Sequence, residues 1–288
     1  LQTRPTVTFI SEEVKEKKWT LYDAVQYLGD IIIERSKRGL LHGVVLIPEG
    51  LIEFLTDVNP LISSLNALLG TTALSGSLEE KVSLISSKLS NNESTLLQRL
   101  PKLIQEQLLL DRDSHGNLKV SQIDTQQLLI EMTHDYIQKK SSSTSFNALS
   151  HFFGYEGRCG APSRFDACFT YNLGLIAGSL LLEGHTGYMA TISHFDDQAT
   201  PMAIPLVSLL NHEQRDGHTA VVIEKALVDC KSPAFTYFSE RRDVWSKDDV
   251  FTSPGPRQYW GPLANQLPFS VSLNQGYDTV NFSFSNNL

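Results

Sequence analysis

Phe146-Asn147-Ala148-Leu149-Ser150-His151-Phe152-Phe153-Gly154-Tyr155-Glu156-Gly157-Arg158 changes character partway along. It opens as an apolar run of the kind that forms a buried strand. Gly154 breaks that run, and a phenol, a carboxylate and a guanidinium follow at Tyr155, Glu156 and Arg158. Cys159 to Pro162 read as loop. Ser163, with Asp166 three residues on, makes a capping-box start for the next helix. A strand that empties polar groups into a loop ahead of a helix is the usual ligand site of an open α/β sheet, beyond the carboxyl ends of its strands. Arg158 offers five donors in a planar fork suited to phosphate. The plainer reading pairs Arg158 with a surface acid and packs Tyr155.

Toward the amino terminus, Leu1 to Ile10 reads as a strand and Ser11 to Lys18 as a polar connection. Thr20 with Asp23 is a second capping-box start. Leu21, Ala24, Val25, Leu28, Ile31 and Ile32 then recur at helical spacing, and Lys37, Arg38 and Gly39 form the stop. His42 to Ile47 is a buried-type strand ending at Pro48-Glu49-Gly50-Leu51. Strand, helix and strand make a βαβ unit, which requires a parallel sheet. Glu49 thus lies just past a strand, as Tyr155 and Arg158 do. Its alternative role is to cap a helix starting near Leu51.

From Pro60 to about Ser145 the pattern is helical, over Leu61–Leu69, Leu78–Leu89, Glu93–Leu110 and Asp124–Lys139. Asp111 to Asn117 has the look of a calcium loop but lacks the correctly spaced bidentate Glu, so it reads as a turn. Ser163 to Glu183 is a long helix with Phe165, Cys168, Leu173, Ile176, Leu180 and Leu181 as core. Gly174 and Gly178 on it allow close packing against a sheet. Strands follow at Tyr188–Ile192 and Ala220–Leu227, then a partly helical stretch from Lys231 to Asp243. The segment Pro254 to Pro262 is irregular, and the tail from Tyr277 is weakly ordered. The domains expected are an α/β segment over 1–60, a helical insertion over 61–145 and a second α/β segment over 146–288.

The chain has 288 residues, 41% of them hydrophobic, enough for one large or two ordinary domains. A net charge of −8 argues against a nucleic-acid partner, since no basic face is available for a phosphate backbone. No apolar run is expected to reach bilayer length, so no membrane partner is predicted. Three cysteines without CxxC spacing indicate neither a disulfide framework nor a zinc site, and cytoplasmic placement is the default. The chain begins at Leu1 and runs at once into a strand-like segment, which suggests a piece cut from within a domain.

The central stretch, continued through Gly174, resembles the F-N-A-x-x-H-F-F-G-Y-Q-x-R-x-x-x-P-S-x-F-D-C segment of the long, plant β-subunit-like pyrophosphate-dependent 6-phosphofructokinases. Ile47-Pro48-Glu49-Gly50-Leu51-Ile52-Glu53 is similar to that family's I-P-E-G-L-I-E, Gly187 to Ile192 to its N-G-Y-M-A-T-V, and Pro254 to Pro262 to its N-P-G-P-L-Q-Y-x-G-P. Glu156 stands where the family has Gln. An added negative charge beside a phosphate is unfavourable unless Arg158 neutralises it.

The resemblance implies a phosphofructokinase-like parallel-sheet sandwich with an α-helical insertion. It implies reversible phosphoryl transfer from pyrophosphate to fructose 6-phosphate in glycolysis, with Mg²⁺ bridging phosphate oxygens. The substrate-binding residues it implies are Glu49, Tyr155, Glu156, Gly157 and Arg158. Glu49 accepts sugar hydroxyls, while Tyr155 and Arg158 hold the sugar phosphate. The family's T-I-D-x-D, M-G-R and Gly-Gly-Asp-Asp motifs do not occur in this sequence. The catalytic Asp and the Mg²⁺ ligands are therefore expected upstream of these residues, and the isolated chain is expected to be inactive. A homodimer or higher oligomer is the assembly implied. A non-catalytic regulatory subunit, like the plant α-subunit, and an ATP-dependent 6-phosphofructokinase are the alternatives.

Overall fold

The computed structural model describes residues 3–70, 74–112, 118–120, 123–158, 162–194, 199–215, 218–223, 227–252, 269–274 and 276. Strand β1 (Val7–Thr8) and strand β2 (Val45–Leu46) pair in parallel, with Val7 opposite Val45. Helix α2 (Leu21–Lys37) makes the crossover between them. It starts where Thr20 accepts the Asp23 amide at 3.2 Å and the Asp23 carboxylate accepts the Thr20 amide at 2.8 Å. The expected βαβ unit is present, with shorter strands. The second is not the buried strand its composition suggests, because Leu41, Val44 and Leu46 are all exposed.

Ser11–Glu16 is helical (α1) rather than a connection, burying Ser11, Glu13 and Val14. One apolar residue in six is too few for a periodicity, yet Val14 is enough to seat the turn on the core.

Four helices follow a short 3₁₀ turn at Leu51–Phe54: α3 (Val58–Leu69), α4 (Leu78–Ser86), α5 (Asn91–Arg99) and α6 (Lys102–Leu110). The single helix expected over Glu93–Leu110 is two. Pro101 removes an amide and forces the residue before it out of helical geometry, and Leu100 has ψ 150°. The loop expected from Asp111 lies at 113–117, outside the described residues, and Arg112 and Leu118 pair antiparallel on either side of it. Helix α7 (Thr125–Lys140) is capped by Asp124, whose carboxylate accepts the Gln127 amide at 3.0 Å.

Helix α7 lies along α2 at a close approach. A Cβ on Gly29 would come within 2.4 Å of the Tyr136 ring. Beside that contact Tyr136 donates to Asp30 at 2.7 Å and Lys140 to the same carboxylate at 2.6 Å. Asp30 and Tyr136, both hydrogen-bonded to it, raise the Lys140 pKa. One hydrophobic core runs from Val7 to Leu129, joining the βαβ unit to the helices after it.

The rest of the chain departs from the sequence expectation. Phe146–Phe153 is irregular and mostly exposed, not a buried strand; Leu149 is 96% exposed. Helix α8 (Tyr155–Arg158) follows, and then α9 (Arg164–Leu182), which opens with the predicted Ser163–Asp166 capping box. No residue of α9 is buried, so the expected core positions, Cys168 among them, are not core, and Gly174 and Gly178 face open space. With its two charges, Arg164 and Asp166, in the first turn and a mean hydropathy of 1.4, α9 is long and apolar enough to cross a membrane by length and composition. That corrects the expectation that no such run exists. Here α9 packs along an antiparallel ribbon of β3 (Tyr188–Ser193) and β4 (Thr200–Pro205).

A second ribbon pairs β5 (Leu210–Arg215) with β6 (His218–Ile223). Neither β4 nor β5 is foreseen. Pro201 and Pro205 read as breakers, and Asn211 to Arg215 is wholly polar. Helix α10 (Pro233–Lys247) returns to the amino-terminal core, burying Phe238 and Trp245, and meets α11 (Phe269–Asn274). The predicted Pro254–Pro262 segment and the tail from Tyr277 lie outside the described residues.

Candidate functional site

The two sequence-predicted loops border one cavity of about 1140 Å³. Its walls come from β1, β2 and α2, from Pro48–Gly50, from Ser145–Gly154, and from Gln107 and Ile123–Gln126 on the helical side. It slightly exceeds the ~300–1,000 Å³ usual for small-molecule sites.

On one rim, β2 ends in Ile47-Pro48 and the chain turns at Gly50, whose φ of +73° is the left-handed conformation a side chain disfavours. Leu51 donates its amide back to Pro48 O at 3.3 Å, and Glu53 to Gly50 O at 3.0 Å. This turn holds Glu49 at the cavity edge, exposed. The cap of the 3₁₀ turn is Gly50, with no side-chain hydrogen bond, so Glu49 is not the helix cap that its position suggested.

Elsewhere on the rim, the chain reverses at Gly154, with φ +48°. A Cβ there would meet the Phe152 ring at 2.9 Å. The Glu156 amide donates to Phe153 O at 2.8 Å and closes the turn. His151 spans the same turn, its Nε2 lying 3.1 Å from Glu156 Oε2 and its ring edge-on to Phe153 at 4.7 Å. His151 and Gly157 line the cavity. Tyr155 is 79% exposed, and neither it nor Glu156 is part of the lining. Arg158 is the last residue of α8, one position after Gly157.

Glu49 and Gly157 are therefore brought to one cavity, and Tyr155 and Glu156 stand outside its wall. Among the described residues no group of three or more His, Cys, Asp and Glu side chains could hold a metal ion, so no residue here is assigned to Mg²⁺.

Arg35 is the wall residue that sequence reading misses. It is 3% exposed and donates to His42 O at 2.7 Å, to Ser246 O at 3.3 Å and to the Asp249 carboxylate. His42 Nε2 lies 3.3 Å from the other Asp249 oxygen. The signal is in the sequence: the α2 stripe of Leu28, Ile31 and Ile32 continues onto Arg35 at the same spacing. A charge in a buried helical row requires a buried partner.

A parallel βαβ unit with a polar loop past the end of its second strand, bordering a cavity, fits a phosphofructokinase-like α/β chain. No family model matches the sequence. It is 39% identical over 285 residues, 96% of the chain, to the pyrophosphate–fructose 6-phosphate 1-phosphotransferase subunit beta of Solanum tuberosum. It is 40% identical over 298 residues, 99% of the chain, to the pyrophosphate–fructose 6-phosphate 1-phosphotransferase of Treponema pallidum. To subunit alpha 2 of the Arabidopsis thaliana enzyme it is 32% identical over 287 residues, 95% of the chain. These matches cover 49%, 52% and 45% of the respective relatives, so the chain spans about half the length of the curated relatives it matches. The chain is homologous along nearly all of its length to the pyrophosphate-dependent 6-phosphofructokinases, and the resemblance carried by its motifs is borne out.

Proposed function

We propose that this chain supplies the sugar-phosphate-binding half of a pyrophosphate:fructose 6-phosphate 1-phosphotransferase, which reversibly phosphorylates the 1-hydroxyl of fructose 6-phosphate. The observation that carries this reading is the homology over nearly the whole chain, supported by Glu49 and Gly157 lining one cavity. In this reading Glu49 accepts hydrogen bonds from sugar hydroxyls. Arg158 clamps the phosphate, Tyr155 donates to it, and Gly157 leaves the backbone open to close approach. Such contacts position the acceptor hydroxyl and stabilise charge, the protein's main task in phosphoryl transfer. Mg²⁺ chemistry, which the family resemblance brings, is assigned to no residue of this chain.

The identity to the beta subunit exceeds that to alpha 2, which supports the catalytic over the regulatory reading. The parent protein is read as a cytosolic homodimer or higher oligomer. Free Cys168 and Cys230 fit a reducing compartment.

The test is calorimetric titration of the 288-residue chain with fructose 6-phosphate, beside assays of the parent polypeptide with pyrophosphate and ATP offered separately. Binding that Arg158→Ala weakens, with turnover on pyrophosphate, supports the proposal. Turnover on ATP alone overturns the donor, and turnover on neither moves the reading to the regulatory subunit.

A further inference from the structure

Glu156 places a carboxylate two residues from the phosphate-binding Arg158 of the proposed site. We propose that His151 is the positioning residue that makes this tolerable. It takes up the Glu156 carboxylate across the Gly154 turn and holds it away from an incoming phosphate. The inference rests on the sugar-phosphate reading of the loop.

Three observations converge on it. The His151 Nε2 to Glu156 Oε2 distance is 3.1 Å, a hydrogen bond when His151 is neutral and an ion pair when it is protonated. The imidazole is also braced, since its ring meets Phe153 edge-on at 4.7 Å with an interplanar angle of 73°. The pair further straddles the cavity rim, with His151 in the lining and Glu156 outside it. The carboxylate is thereby drawn along the outer face of the turn while the backbone closes beneath it, Glu156 N to Phe153 O, at 2.8 Å. Without His151 the carboxylate loses this restraint and, on the sugar-phosphate reading, can approach the bound phosphate. Repulsion between like charges at an exposed rim then weakens binding roughly three- to tenfold.

A double-substitution cycle tests this, read by calorimetric titration of the 288-residue chain with fructose 6-phosphate at one fixed pH. His151→Ala is expected to weaken binding roughly three- to tenfold. Glu156→Gln alone, which removes the repelling carboxylate, is expected to tighten binding. The two together are expected to match Glu156→Gln, because there is then no carboxylate to restrain, and His151→Lys is expected to retain wild-type binding. Both side chains are more than half exposed, so the variants should melt with the wild type, which far-UV circular dichroism checks.

If His151→Ala has no effect, or if Glu156→Gln fails to rescue it, His151 does not act through Glu156 and the inference falls. That result leaves the site reading standing so long as Arg158→Ala weakens binding. If fructose 6-phosphate binds none of the chains, or binds Arg158→Ala as it binds wild type, the site reading falls and this inference with it.

Discussion

Arg242 grips Glu13 with both guanidinium nitrogens, at 2.5 and 2.6 Å, across 229 residues of sequence. Lys17 reaches the same carboxylate at 2.7 Å, one helical turn away. The contact fastens α10 to α1 and so returns the far end of the chain to the amino-terminal core. Arg35–Asp249 and Arg38–Asp248 repeat the fastening along α2.

The Glu13 contact makes stability depend on acid. Burial pushes the Glu13 carboxyl up, but Arg242 and Lys17 outweigh it and hold the group below its ordinary 4.5. A carboxylate lowered in the folded state adds stability above its unfolded pKa and loses it as pH falls through the folded one. Glu13→Gln should therefore cost about 2 kcal/mol near neutrality and progressively less in acid. Urea midpoints of both chains from about pH 7 to about pH 3 measure this. A gap that does not close with acid refutes the assignment.

The two neighbouring ion pairs should differ sharply in worth. Asp249→Ala strips a carboxylate from Arg35, whose side chain is 4% exposed, and should cost about 3 kcal/mol. Asp248→Ala touches a pair in which both side chains are over 40% exposed and should cost well under ~1 kcal/mol. Equal losses in thermal or urea unfolding contradict this account of burial.

Gly29 should show a background-dependent sign. Ala in place of Gly favours a helix by roughly 1 kcal/mol. Here the methyl group collides with Tyr136, and overpacking costs about 1–3 kcal/mol. Gly29→Ala should lower the melting temperature of the wild type and raise that of Tyr136→Ala. The same sign in both backgrounds removes the steric explanation.

At the proposed site, Glu49→Gln should weaken fructose 6-phosphate binding roughly 10- to 100-fold, the worth of a hydrogen bond to a charged acceptor. Its melting temperature should change little, since Glu49 is exposed. Calorimetry beside a melting curve separates the two. Unchanged affinity excludes Glu49 from the sugar contacts.

What the sequence makes legible follows from where each signal resides. Helix α2 is read correctly because its cap, its stripe and its stop all lie within its own residues. The break between α5 and α6 is equally local, at Pro101, and is missed only when helical periodicity is weighed above a proline. Phe146–Phe153 and α9 fail for another reason. An apolar run states what a segment can bury, whereas burial needs a neighbour, and among the described residues Leu149 is left uncovered and no residue of α9 is fully buried. The loops Pro48–Gly50 and Gly154–Arg158 are legible as turns from their glycines. That Glu49 and Gly157 share a cavity is a long-range fact, supplied by the βαβ unit and the helices closing over it.

The two ribbons carry a different kind of consequence. A pair of strands joined only to each other is marginal in water and, among the described residues, presents open backbone donors and acceptors on its outer edges. On β4, Pro201 and Pro205 remove donors and blunt the edge. Strand β6 carries no proline over Ala220-Val221-Val222-Ile223, the last three of which are β-branched. If β6 pairs edge to edge with another copy, that association should grow with concentration and Val221→Lys should suppress it.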